Sequence, residues 1–248
     1  MDGANDRPEH YEAPGALVDL PAAIWEGKTV FTTYPIKNQG SAYDCVWNWL
    51  AKSIAVWNMN HNGGAYIELS PKSGYCYTYQ SQGGCNSIQA ADFAYKNGVT
   101  LESLLPSNLV PETQLRDPSN YTAEAKYIAK VAFCGPPHVS MPSDFESIAA
   151  QLQDYQNRGV KAVIGISVQM MNNGTTFTAF PRIPSFTPLS DDPRAWYHRI
   201  TITDFGIING QKVLAVDNSG GTSYGNNGQQ YLTKDWEPFL YGALRPVV

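Results

Sequence analysis

Of the four cysteines, Cys45, Cys76, Cys85 and Cys134, Cys45 has the setting of a nucleophile. A thiol attacks as the thiolate, and the positive end of a helix or a nearby imidazolium favours that anion. Trp47, Leu50, Ile54 and Trp57 recur at helical spacing, so a helix is expected over 45–58. It would start just after the turn-forming run Gly40-Ser41-Ala42-Tyr43-Asp44. Gln39, six residues upstream in a loop, carries a side-chain N–H suited to an oxyanion. His10 in a polar arm, His61 beside Asn62-Gly63-Gly64, and His138 after Pro136-Pro137 read as loop or surface residues. His198 opens a strand, and Asn218 ends the strand that returns through the Asn209-Gly210 hairpin signal. His198 lies eleven residues before Asn209 and Asn218 eight after Gly210, so a bulge or register offset must absorb the difference. An Asn placed there would orient the imidazole by hydrogen bonding.

The elements that must position these residues change character along the chain. Residues 1–19 read as an irregular arm. A helix is expected from Ser70-Pro71, with Ser as N-cap and Pro at the first helical position. Another runs from Ser87 to Lys96 and stops at Asn97-Gly98. Ser143 and Glu146 form a capping-box pattern that opens a helix to about 157. Strands are expected over 161–170, 200–208, 212–216, 229–233 and 242–247, with long irregular stretches between 165 and 197. Helices first and strands later imply an α+β fold with two lobes. The expectation is one domain over 20–248, its helical lobe spanning about 38–115 and its sheet lobe about 130–240.

Several of these segments resemble the papain-like (C1-type) cysteine peptidase family, in order. Pro35-Ile36-Lys37-Asn38-Gln39-Gly40-Ser41, followed by Cys45, resembles the run from oxyanion Gln to nucleophile. Leu69-Ser70 with Gly84-Cys85-Asn86 resembles the next helix and its loop. His198 with Gly206 resembles the histidine strand, and Asp217-Asn218-Ser219-Gly220-Gly221-Thr222 with Gly225 and Gly228 the Asn-Ser-Trp-Gly segment. Leu20-Pro21 with Trp25 is similar to the mature N-terminus. The resemblance implies a helical left lobe, an antiparallel sheet or barrel right lobe and a cleft between them. It implies Cys45, His198 and Asn218 as triad, Gln39 and the Cys45 N–H as oxyanion donors, and an extended peptide or protein substrate cleaved through an acyl-enzyme. The alternative it leaves is a weak or inactive member that serves as a binding or structural part of a larger assembly, with a protein assembly partner.

Departures from the family pattern carry their own expectations. Ala42 replaces a half-cystine, leaving Cys85 free or paired with Cys76. Asp44 sets a negative charge beside the thiol, or serves as a helix cap, and Val46 replaces a Trp. Gly220 replaces the Trp that covers the His–Asn bond, which would then be wetter. Ser87 and Ile88 replace the Gly-Gly whose backbone meets substrate, so Ile88 is expected to shape that contact.

Composition narrows the partners. A formal net charge of −5 argues against nucleic acid, which calls for a basic footprint. No apolar run is long enough to span a membrane. No Cys-x-x-Cys pair suggests zinc, and neither metal nor cofactor is expected. The polar start of the chain has no apolar signal region, so a reducing compartment or a packaged particle is the expected setting.

Overall fold

The computed structural model describes residues 20–26, 31–81, 83–171 and 195–248. The arm 1–19 and residues 172–194, within the irregular stretch expected above, lie outside the described residues. The helices are α1 (Cys45–Asn58), α2 (Lys72–Thr78), α3 (Ser87–Asn97), α4 (Glu112–Leu115), α5 (Ala123–Ala132) and α6 (Phe145–Asn157). The strands are β1 (His138–Ser140), β2 (Ile164–Met171), β3 (Ala195–Ile208), β4 (Gln211–Asp217), β5 (Gln229–Thr233) and β6 (Leu240–Pro246). They form one antiparallel sheet in the order β1-β6-β2-β3-β4-β5, and a 3₁₀ turn, Lys234–Phe239, leads into β6.

Helix α1 matches the expected span, but its burial does not follow from one apolar face. Every residue from Cys45 to Val56 is buried. Val46, Trp47, Leu50, Ala51 and Ile54 pack in a core with α3, Leu69, Tyr75 and Cys85. Cys45, Asn48, Trp49 and Lys52 line the opposite side, facing the sheet. A helix buried on all sides needs partners for its polar groups: Thr78 of α2 accepts from Trp47 Nε1 at 2.7 Å, Trp49 Nε1 has no hydrogen-bond partner among the described residues, and Asp217 and His138 of the sheet meet Lys52 and Ser53.

The sheet can do so because strand side chains alternate between faces. In β2 and β3, Ile164, Ile166, Val168, Ile200 and Ile202 enter a second core with α6, Leu214 and Trp236. Gly165, Ser167, Arg199 and Thr201 alternate with them and meet α1. Thr203 is the extra residue of a bulge: Ile202 pairs with Val216, and Asp204 with Ala215. The bulge reverses the alternation, so Phe205 and Ile207 join Ile200 and Ile202 on the core side.

Local signals were shifted at two helix starts. Asp144, not Ser143, caps α6: its side chain accepts from Ser147 N, while Ser143 Oγ accepts from Ala243 N of β6. Glu146 thereby leaves the capping box and accepts from Trp25 Nε1 at 2.8 Å. Ser70 holds α2 only through its backbone carbonyl, which accepts from Ser73 N at 3.1 Å. Helix α3 does end at Gly98, with φ of +73°, where a Cβ would come within 1.9 Å of Ala129 O. His198 is not the first residue of its strand, because β3 begins at Ala195.

Gly165 sets how closely α1 approaches the sheet, since a Cβ there would lie 2.1 Å from the Trp49 ring. Gly165→Ala is therefore expected to destabilise the fold by about 1–3 kcal/mol through overpacking. Urea denaturation followed by tryptophan fluorescence measures this, and an unchanged midpoint would contradict it.

Candidate active site

Cys45 is the first residue of α1 and is fully buried. Its Sγ accepts a hydrogen bond from Arg199 N of β3 at 3.4 Å. The helix N-terminus and a strand N–H therefore both direct positive potential at sulfur. Tyr43 N, just upstream, donates to Glu112 Oε2 at 3.0 Å. That carboxylate also accepts from the Tyr75 hydroxyl and pairs with Arg116, which anchors the loop before the thiol.

His198 Nε2 lies 2.8 Å from Asn218 Oδ1, and both residues are buried. Asn218 Nδ2 donates to Gln230 Oε1 of β5 at 3.0 Å. With that donor engaged, Oδ1 is the atom turned to the ring. An amide oxygen only accepts, so Nε2 carries the hydrogen and Nδ1 has the lone pair. The β3–β4 register accounts for the pairing. Thr201 opposes Asp217, so His198 would oppose residue 220, and Asn218 is its diagonal neighbour on the same face. The bulge takes up one residue of the offset and this diagonal reach the rest. Burial lowers the pKa of His198 below the ordinary imidazole value, with the Asn218 bond opposing the shift. The neutral ring is the form suited to accept a proton.

Gln39 is held from two sides. Its Oε1 accepts from Ser219 Oγ, and its Nε2 donates to Ala42 O at 2.7 Å. The surrounding loops pair as well: Gln39 N donates to Ser219 O at 2.9 Å and Gly221 N to Lys37 O at 3.0 Å. Gly221 adopts φ of +85° in this clip, and a Cβ there would meet Asn38 Nδ2 at 2.9 Å. The amide of Gln39 is thereby fixed relative to the residue after Asn218.

Beneath these residues Lys52 Nζ meets Asp217 Oδ2 at 3.1 Å, with both side chains buried. Asp217 also accepts from Tyr34 N and from Thr33 Oγ1. Burial lowers the Lys52 pKa and Asp217 opposes this. Arg199 stacks on Trp49, with Cζ 4.1 Å from the ring centroid, and donates to Ser167 Oγ and Gly242 O. A cavity of about 10 Å³, the space of a single water, is bounded by Cys45, Trp49, Lys52, Tyr66, Arg199 and Asp217 among others.

His198 and Asn218 are joined directly, Gln39 is tied to Ser219 next to Asn218, and Cys45 meets β3 at Arg199 next to His198. Ser87 and Ile88 lie in the helix expected from Ser87. They begin α3, where Ser87 is fully buried and Ile88 N donates to Asn86 Oδ1 at 3.0 Å, as does Gln89 N at 3.1 Å. The Ile88 N–H is committed to the cap, which leaves its half-buried side chain as the group able to meet a ligand. The His–Asn bond is not wetter for the lack of a large ring at Gly220: both partners stay under a tenth exposed. Asp44 does not cap α1 with its side chain. All four cysteines are free thiols. Ser219 and Gln230 were missed in the sequence; the first adjoins Asn218 and could have been suspected, while the second depends on the β4–β5 register.

No family sequence model matches the chain, and no curated sequence matches it. Solved structures do match in shape. Xylellain, a cysteine protease from Xylella fastidiosa, superposes with a TM-score of 0.69 at 12% identity, over 95% of this chain and 90% of that one. The bromelain protease from Ananas comosus, in complex with the E64 inhibitor, gives 0.62 at 18% identity, over 88% and 94%. A Carica candamarcensis cysteine protease gives 0.60 at 17% identity, over 86% and 92%. The fold is papain-like. In this papain-like α+β frame the helices and the antiparallel sheet each carry their own core, and the four candidate residues lie where the two meet. Among the described residues no cluster of three or more His, Cys, Asp or Glu could hold a metal ion, and no helix is long and apolar enough to cross a membrane.

Lys52→Ala would leave Asp217 as a buried carboxylate without its cation, at a cost of about 3–5 kcal/mol. Adding Asp217→Asn to that variant should recover part of the loss in chemical denaturation. No recovery in the double variant would show that Lys52 acts by packing alone.

Proposed function

We propose that this chain is a cysteine-type peptidase that hydrolyses peptide bonds in extended substrates. The observation that carries this is the His198–Asn218 pair, held at 2.8 Å beside a helix that begins at Cys45. Cys45 Sγ attacks the scissile carbonyl carbon as its proton passes to His198 Nδ1. The carbonyl oxygen becomes an oxyanion, received by the Cys45 N–H and Gln39 Nε2. Collapse breaks the C–N bond, and the imidazolium returns its proton to the departing amine. Water, deprotonated by His198, then attacks the thioester and releases the acid and the thiol. Asn218 holds the ring in the required tautomer throughout, and Ser219 keeps the Gln39 amide from turning its oxygen toward the oxyanion.

The complete burial of Cys45 favours a second reading: a papain-like binding or structural component whose cleft is rarely used, with another protein as its partner. Labelling separates the two. Under the peptidase reading an epoxide or iodoacetamide probe modifies Cys45 faster than the exposed Cys134, and Cys45→Ala removes that label together with cleavage of a peptide library. Gln39→Ala should retain labelling but lower kcat by roughly 10²–10³, the effect of losing one oxyanion donor. A Cys45 no more reactive than Cys134 would instead support the structural role.

A further inference from the structure

Asp44 differs from the capping residues of α3, α5 and α6. Asn86, Thr122 and Asp144 precede α3, α5 and α6 in extended conformations, and each side chain accepts from an N–H of the first turn. Asp44 precedes α1 with φ −96° and ψ 23°, and makes no such bond. Its backbone carbonyl serves α1 instead, accepting from Asn48 N at 2.9 Å and Asn48 Nδ2 at 3.2 Å. The side chain is 1% exposed, and Oδ1 has no hydrogen-bond partner. A carboxyl is therefore held dry and unused for capping, one residue before the thiol.

We propose that Asp44 is a positioning residue that sets how readily Cys45 ionises: neutral, it leaves the thiolate unopposed at the start of α1; ionised, it places a second anion at the same helix end. This rests on Cys45 being the nucleophile. The first N–H groups of α1 and its dipole form a small positive region that stabilises one negative charge well. Two adjacent anions there repel each other, and each raises the cost of the other.

The charges around Asp44 leave it poised rather than fixed. Glu112 of α4 repels a negative Asp44, but is itself engaged by Tyr43 N, Tyr75 and Arg116. Lys37, in the loop that carries Gln39, attracts it, but is engaged by Glu102 at 2.5 Å and Glu68 at 3.3 Å. Asn48 and Cys45 face it from α1, and His198 is the titrating group that β3 brings to the site. Burial pushes the Asp44 carboxyl up to about 7, a hydrogen bond to its own backbone N–H opposes this most, Glu112 adds to the rise, and Lys37 and Asn48 oppose it more weakly. The charge beside Cys45 thus appears as pH rises through neutrality. Because the folded value lies above the unfolded one, the same ionisation also removes stability as pH climbs from the ordinary carboxylate range through about 7.

The test is the rate of iodoacetamide alkylation at Cys45, read by peptide mass spectrometry from mildly acidic to mildly alkaline pH. The exposed Cys134 serves as reference within each sample. Wild type is compared with Asp44→Asn, which keeps the shape and removes the charge. Compared at the same pH, with Cys134 reacting alike in both proteins, the Cys45 rate of wild type should match that of the variant under mildly acidic conditions and fall behind it above neutrality. Asp44→Asn should then react roughly three- to tenfold faster at alkaline pH, as a half-unit to one-unit shift of the thiol requires. Superimposable profiles with a reactive Cys45 would overturn the role of Asp44 and leave the peptidase reading intact. A Cys45 no faster than Cys134 at any pH, in either protein, would overturn both. If Asp44→Asn does not fold, Asp44→Ser carries the same comparison.

Discussion

The structure depends on how α1 is satisfied. A helix buried from Cys45 to Val56 needs partners for the Cys45, Lys52 and Ser53 side chains. The sheet lobe provides them: Asp217 to Lys52, His138 to Ser53, and the Arg199 N–H to Cys45. The Lys52–Asp217 pair is the most demanding of these contacts, because either charge alone at that depth would be costly. Asp217 immediately precedes Asn218, so the ion pair that seats the helix also places the residue that orients His198.

The same constraint explains why α1 can approach the sheet so closely. Strand alternation puts Ile200 and Ile202 into the core with α6 and turns Arg199 and Thr201 toward the helix. Gly165 removes the side chain that would collide with Trp49, and Arg199 covers the other face of that indole. Where the ladder would then turn Phe205 away from its core, the bulge at Thr203 restores it. Steric fit and alternation therefore fix the placement of β3 relative to α1, and one unmatched residue sets β3 against β4.

The clip between residues 37–39 and 219–221 adds a second connection across the same boundary. It joins the loop of Gln39 to the chain leaving Asn218, so the side-chain amides of the two residues are tied to one another. Such coupling suits chemistry in which stabilising groups must already be in place when charge develops. Asp44 runs against this arrangement, since its buried Oδ1 has no hydrogen-bond partner among the described residues and its side chain does not cap α1.

Much of this was legible from local pattern. The helical spacing of Trp47, Leu50 and Ile54 located α1, Asn97-Gly98 located the end of α3, and Asn209-Gly210 located the hairpin, because each signal rests on backbone conformation within a few residues. Cys45, His198, Asn218 and Gln39 were candidates on residue type, spacing and the family resemblance together. What the sequence left open was every relation set by register or burial. Whether Asn218 reaches His198 depended on the bulge and a diagonal contact, and Gln230 entered through the β4–β5 pairing. Ser143 lost its cap to Asp144 because a strand N–H, distant in the chain, claimed its hydroxyl. The Ile88 N–H went to Asn86, and Asp44 became a dry carboxyl rather than a cap. Residue type determined which chemistry this protein can hold; tertiary packing decided which groups keep water, which find partners, and so which remain available to react.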